Sequence, residues 1–251
     1  MAVEASDKRP LQILLCTPCS RGFVRQEYSA CLLTQFFNHP DRLANQQRYQ
    51  LAIYQIKGYS GLGKDRGVLA SYALRHRFDK IFFVDDDMEW RWDQCKTLFD
   101  SDKPIIAGVA PLKQFPAPMN FTPLDEDKDC FELDSGIRTF EGMLRLVAKY
   151  GNVAEVPVKA IGTAFMVIDT KVLYKMVELG AEPFKYMDYQ SNKEVKCWDF
   201  FPSGPLNGDY YGEDFGFCFK AKEAGFPIYM NAGVHVNHIG AHTYRVDGKL
   251  Y

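Results

Sequence analysis

No run in this 251-residue chain approaches the roughly 18 consecutive apolar residues that cross a bilayer. A basic excess is also missing: 30 Lys and Arg stand against 32 Asp and Glu, for a formal net charge of −2. That balance excludes a dedicated nucleic-acid binder, which carries a strong basic excess. The opening, Met1 to Pro10, is polar and mixed in charge, without the basic start and apolar stretch of a signal peptide. Cysteine is sparse, odd in number and scattered, at positions 16, 19, 31, 95, 130, 197 and 218. Such spacing does not read as a disulfide framework, so the expected compartment is a reducing cytoplasm. Internal repeats and flexible linkers are lacking as well. What remains is an ordinary globular composition, long enough to bury a large core without staples. The expected organisation is a single domain over residues 1–251, with one lobe at about 11–112 and a second at about 113–251.

The first half alternates strands and helices. Leu11 to Cys16 reads as a short buried strand that Thr17-Pro18 breaks, followed by a helix from about Val24 to Phe37. Leu51–Ile56, Ile81–Val84 and Pro104–Val109 are further strands, with a helix from about Arg66 to Arg75 between the first two. This order implies βαβ units and a mostly parallel, twisted sheet, hence an α/β fold. The second half is less regular. Residues 114–133 and 182–207 read as loops, the former with short strands. Strands at 156–161 and 164–168 flank Gly162-Thr163. Helices run from about 171 to 179 and 214 to 223, and two short strands close the chain at 227–230 and 234–236.

The strongest chemical signal is Ile81-Phe82-Phe83-Val84-Asp85-Asp86-Asp87. An apolar strand ending in carboxylates places them at the carboxyl edge of the sheet, where open α/β sheets bind ligands. Continued strand geometry would put Asp85 and Asp87 on one face. Paired carboxylates repel unless a cation or proton neutralises them, and hard oxygen ligands suit Mg²⁺ or Mn²⁺ with substrate phosphates completing the shell. The plain alternative is a solvated acidic turn.

Other motifs are each matched by a plainer reading. Gly58 to Lys64 has the G-x-x-x-x-G-K of a phosphate-binding loop, but Asp65 replaces the hydroxyl that would hold Mg²⁺. A P-loop-like NTPase therefore stands as a rival reading. Cys16-Thr17-Pro18-Cys19 has redox-site spacing, against incidental small residues at a turn. His235, His238 and His242 straddle Gly240, so not all three converge readily; one of them joining the aspartates is the better expectation. Glu213-Asp214 opens the last long helix, either as a macrodipole cap or as a carboxylate acting on an acceptor hydroxyl.

Taken together these pieces resemble the nucleotide-sugar-dependent glycosyltransferases of the A fold, from Ile13 to Tyr244. The resemblance rests on Thr17-Pro18 ending a strand, Asp65-Arg66 on the next helix, and Asp85-Asp86-Asp87. It continues with Gly-Thr-Ala-Phe-Met at 162–166, then Glu213-Asp214, then His238-Ile239-Gly240. Gly67 departs from the Arg-Asn that many relatives carry. The resemblance implies transfer of a hexose from a GDP-sugar such as GDP-mannose, or a UDP-sugar, to a hydroxyl on a glycan, protein-linked glycan or small acceptor. It implies Thr17, Pro18, Arg66, Asp85, Asp86, Gly162 and Thr163 at the donor. Asp85, Asp87 and His238 would sit on Mn²⁺ or Mg²⁺, and Asp214 with Glu213 at the chemistry. Arg245 and Lys249 are read as a solvated basic tail, or as extra positive charge near the leaving group. Both inversion and retention stay open, with a lean to retention. A non-catalytic nucleotide-sugar-binding module is a further rival.

Overall fold

The structure, a computed structural model, describes residues 9–19, 22–44, 48–57, 61–114, 117–134, 137–188, 191–206 and 208–247. The first half holds β1 (Leu11–Cys19), α1 (Gln26–Cys31, continuing as a π-helix over Leu32–Phe37), α2 (Pro40–Ala44) and β2 (Tyr49–Lys57). Then come α3 (Leu62–Arg75), β3 (Lys80–Val84), β4 (Met88–Glu89), α4 (Trp92–Asp100) and β5 (Ile105–Val109). The second half holds β6 (Phe121–Thr122), a 3₁₀ helix (Asp125–Asp134), α5 (Phe140–Lys149), β7 (Glu155–Val158), β8 (Ala160–Ile161), β9 (Phe165–Asp169) and α6 (Thr170–Glu178). It continues through β10 (Pro183–Asp188), β11 (Lys193–Trp198), β12 (Gly204–Leu206), β13 (Asp209–Tyr211), α7 (Glu213–Glu223), β14 (Ile228–His235), β15 (Asn237–Ile239) and β16 (Thr243–Tyr244).

Seven strands form the central sheet in the order β2-β1-β3-β9-β5-β14-β7. β1 runs parallel to β2 and β3, and β14 runs parallel to β5. β9 opposes both β3 and β5, and β7 opposes β14. Five of the strands therefore share one direction, as the α/β reading expects, and small separate sheets flank them. A mostly parallel central sheet with helices on both faces and small separate sheets is the α/β architecture that the sequence reading expects.

Strand alternation builds two cores, one on each face of the sheet. Leu14, Cys16, Ile81, Phe83, Met166 and Ile168 pack against α3, α5, α6 and α7. Ile13, Leu15, Phe82, Val84, Phe165 and Val167 face the other way, against Tyr28, Phe36, Trp92 and Phe99.

Several elements differ from the sequence expectation. β1 is not broken at Thr17-Pro18 but runs on to Cys19. Its pairing with β3 stops at Cys16↔Phe83, while β2 continues beside it to Cys19↔Lys57. Pro18 thus lies where the strand is flanked on one side, and its missing N–H costs no bond to β3. Residues 182–207 are not loop-like throughout, because β10 and β11 form a hairpin with Tyr186 opposite Val195 and Phe184 opposite Cys197. The sequence reading assigns no element to α5, whose Thr139 hydroxyl caps it by accepting from Gly142 N at 3.1 Å. Finally, the strands expected at 227–230 and 234–236 are one strand, β14, with a register irregularity between Asn231 and His235.

Candidate active site

β3 is wholly buried and ends at Val84. Asp85 N donates to Ala164 O at 3.0 Å, and Met88 N returns to Asp85 O at 3.2 Å. The three aspartates therefore lie on a turn rather than on an extended strand, so Asp85 and Asp87 take different partners. β15 backs this turn: His238 pairs with Met88, Asn237 with Glu89, and Ile239 N donates to Asp87 O at 2.8 Å. The late histidine segment is thereby carried onto the acidic turn, far from it in sequence.

Arg66 lies on the other side of Asp85. It projects from α3, is 1% exposed, and spreads its guanidinium between two acids. Nη2 donates to Asp85 Oδ1 at 2.7 Å and Nη1 to Glu213 Oε1 at 2.7 Å. Asp214 follows at the start of α7. A Cβ placed on Gly162 would come within 2.9 Å of Asn120 Nδ2 and 3.3 Å of Asp214 Oδ2, so those two groups converge on Gly162.

Glycine lets these elements close up. The segment from Trp198 to Pro202 threads between α3 and α7, with carbonyl oxygens against three glycines. An added Cβ would meet Phe201 O at 2.5 Å from Gly63, Trp198 O at 2.9 Å from Gly67 and Pro202 O at 1.7 Å from Gly216. Gly67, the departure from the Arg-Asn pattern, is thus required by a main-chain neighbour. Gly61 enters α3 at φ +105°, a conformation that glycine tolerates and side chains avoid.

The remaining sequence candidates are placed as follows. Thr17 is fully buried, and its hydroxyl is hydrogen-bonded to Tyr28 Oη at 2.5 Å. Pro18 sits beside Ile56 of β2. Asp86 is buried in the turn, and its carbonyl accepts from Arg25 N at 2.9 Å. Thr163 is fully buried just ahead of β9, its hydroxyl without a partner among the described residues. His235 Nε2 bonds Ala232 O at 2.7 Å and His242 packs edge-on against Tyr244, so His238 is the histidine that reaches Asp87. Gly58 to Ser60, in the glycine-rich loop, and Lys249, in the basic tail, lie outside the described residues. Arg245 is half-buried and lines a cleft with Glu89 and Asn237, so it is not a fully solvated tail residue. Lys64 is exposed at the start of α3. The seven cysteines are free and buried, Cys16 and Cys19 among them.

Sequence reasoning missed two residues. Lys113, in the segment after β5, forms an ion pair with Asp87 Oδ2. Asn120 accepts from Ala110 N through Oδ1 at 3.1 Å and leaves a buried Nδ2 without a partner among the described residues. Neither lies in a periodic pattern or a spaced motif, so the sequence carries no signal for them.

Carboxylates outnumber cations here. Burial raises the pKa of Asp85, against the lowering by Arg66. Burial together with the charge of Asp214 raises Glu213. Asp87 goes the other way: burial pushes it up, but hydrogen bonds from His238 and Lys113 bring it far below the usual carboxylate range. A cavity of about 590 Å³ opens beside Glu213, lined by Gly61–Lys64, Pro183, Phe184 and Phe201–Ser203.

The His238–Asp87 contact bears on metal binding. His238 Nδ1 lies 2.8 Å from Pro111 O, which fixes the ring proton on Nδ1 in the neutral tautomer. Nε2 lies 3.3 Å from Asp87 Oδ1, so the imidazole and the carboxylate stand side by side. Among the described residues no cluster of three or more His, Cys, Asp or Glu is arranged to hold a metal. One carboxylate and one imidazole nevertheless fit a cation whose remaining ligands are substrate phosphates and water.

No family model matches the chain, and no curated protein matches it. Among solved structures, A197 from STIV aligns over 95% of this chain and 92% of its own, at 15% identity and a TM-score of 0.54. That likeness shows a shared fold and nothing of the chemistry. A crystal structure of GalNAc-T7 with UDP, GalNAc and Mn²⁺ aligns over 96% of this chain but 45% of its own, at 11% identity. Its TM-score of 0.45 is too low to carry an argument. No helix among the described residues is long and apolar enough to cross a membrane.

Proposed function

We propose that this protein is a metal-dependent glycosyltransferase that moves a hexose from a nucleoside diphosphate sugar to a hydroxyl acceptor. One observation carries the reading: at the carboxyl edge of the sheet, the acidic turn and β15 bring the Asp87 carboxylate within 3.3 Å of His238 Nε2, an oxygen and a nitrogen ligand type side by side. Acidic residues crowd that edge, so a diphosphate would be repelled unless positive charge came with it. A divalent ion, Mn²⁺ or Mg²⁺, would supply that charge and offset the negative charge of a departing diphosphate.

The chain's own residues divide the rest. Asp87 and His238, with Asp85, would hold the cation. Arg66 holds Asp85 and Glu213 in fixed relation, which ties the donor end of the site to the chemical end. Thr17, Pro18, Asp86, Gly162 and Thr163 shape the donor pocket. Asp214, beside Gly162, orients the sugar hydroxyls in a retaining reaction, the course we favour, or takes the acceptor proton in an inverting one. The acceptor enters the cavity beside Glu213.

Calorimetric titration with UDP, GDP, ATP and their sugar conjugates, with Mn²⁺ and in EDTA, tests the reading. A nucleotide sugar should bind with Mn²⁺ and give little or no heat in EDTA. Undiminished affinity in EDTA sinks the metal assignment, and ATP binding with hydrolysis points to an NTPase instead. Slow hydrolysis of the bound donor distinguishes an enzyme from a non-catalytic binding module.

A further inference from the structure

Asp87 is electrostatically compensated before any ligand arrives. Lys113 supplies the compensation, with its ammonium on Oδ2 while Oδ1 faces His238. The lysine stem runs beside Gly240, where an added Cβ would lie 3.3 Å from Lys113 Cδ. The two partners are unequally free. The Asp87 side chain is 7% exposed and that of Lys113 is 28% exposed. Asp87 sits in a turn pinned by Ile239 N, whereas Lys113 has a flexible four-carbon stem near solvent. An ammonium and a divalent ion in contact with one carboxylate repel each other strongly at that range. The two would share one negative charge, and Lys113 is the one free to withdraw.

Resting on the glycosyltransferase reading above, we propose that Lys113 is a built-in competitor for the metal. Its ammonium, on the other oxygen of the same carboxylate, compensates Asp87 in the ligand-free protein, where an uncompensated buried carboxylate would be costly. A divalent ion binds by displacing it. The donor's diphosphate then offers the released ammonium new oxygen partners, so metal and nucleoside diphosphate each favour the binding of the other. Neither is held firmly alone, and the complete pair is.

The test counts free Mn²⁺ by its paramagnetic resonance signal over the full-length protein, alone and with UDP or GDP. Wild type should bind Mn²⁺ weakly alone and about tenfold more tightly with the matching nucleoside diphosphate. Lys113→Met keeps the stem and removes the charge. It should bind Mn²⁺ alone about tenfold more tightly than wild type, the size expected for losing one partly buried ion pair. It should also lose most of the nucleotide's enhancement. Lys113→Gln should repeat this result in a polar side chain, and Lys113→Arg, which keeps the charge, should bind Mn²⁺ as wild type does. Thermal melts of each variant establish that it is folded. Mn²⁺ affinity in folded Lys113→Met or Lys113→Gln that equals or falls below wild type overturns the competitor. No Mn²⁺ binding to wild type or to either neutral variant, with UDP or with GDP, overturns the metal-dependent reading beneath it.

Discussion

A buried arginine shared by two carboxylates is replaceable by neither lysine nor a neutral side chain. The Arg66 fork reaches Asp85 and Glu213 with separate nitrogens, and a lysine ammonium can engage one of them. Arg66→Met should leave two partly buried acids uncompensated and cost about 3 kcal/mol in urea unfolding. An unchanged urea midpoint would reject that account. Arg66→Lys should fold better than Arg66→Met and still bind donor poorly. Asp65, one residue earlier, gives a pH signature. Burial raises its pKa from the ordinary 3.8 to about 6, against the lowering by Lys64 and Arg66. Between those values the folded chain keeps a proton that the unfolded chain has lost, so this group's contribution to stability falls as pH rises through the window. Asp65→Asn should therefore gain on wild type between about pH 4 and about pH 6 and hold a constant lead above that. A lead that does not change with pH would show that Asp65 is not buried with a raised pKa. At this scale the sequence shows the aspartates and His238, because carboxylates fused to an apolar strand stand out. Lys113 and Asn120 come from an irregular segment, and only the fold brings them to the site.

Elements meet here through missing side chains. α3 and α7 flank the Trp198–Pro202 segment, and Gly63, Gly67 and Gly216 receive its carbonyls. Within a helix each glycine costs about 1 kcal/mol relative to alanine. That cost is offset by the close approach it allows, which seats Arg66 opposite Glu213 and stacks Phe201 on Phe217 at 4.7 Å. Gly216→Ala should therefore destabilise the protein by about 1–3 kcal/mol despite its better helix propensity, since the new Cβ would meet Pro202 O at 1.7 Å. A gain in the urea midpoint would mean that the 198–202 segment moves freely away. The long strands and helices of the first half are legible from apolar runs and breakers. The β10–β11 hairpin is not, although Phe184, Tyr186, Val195 and Cys197 alternate with polar neighbours. Charged residues between them lower the local hydropathy enough to read as loop. Thr17-Pro18 misleads for the opposite reason: a proline reads as a stop, but the flank of β1 beyond Cys16 has no β3 partner to lose.

At the scale of the molecule, both halves of the chain contribute strands to the central sheet. β9 comes from the second half and lies between β3 and β5 of the first, and β14 extends the sheet from β5. Removing the second half would strip β3 and β5 of their shared neighbour and open both cores, because Phe165 and Val167 face one and Met166 and Ile168 the other. We therefore expect one cooperative unit, and the cysteines report on it. Cys16 and Cys95 belong to the first half, Cys197 and Cys218 to the second, and all four are 0% exposed. Burial raises the pKa of each, with Cys218 pushed up to about 12. Since the thiolate is the reactive form, none should react with a maleimide in the folded state. Under increasing urea the four thiols should become reactive at one midpoint, resolved peptide by peptide in the mass spectrometer. Cys16 and Cys95 labelling at a different midpoint from Cys197 and Cys218 would show two independently unfolding lobes. A single shared midpoint means that the acidic turn on β3 and the Glu213-Asp214 pair on α7 stand or fall together, as the Arg66 bridge between them requires.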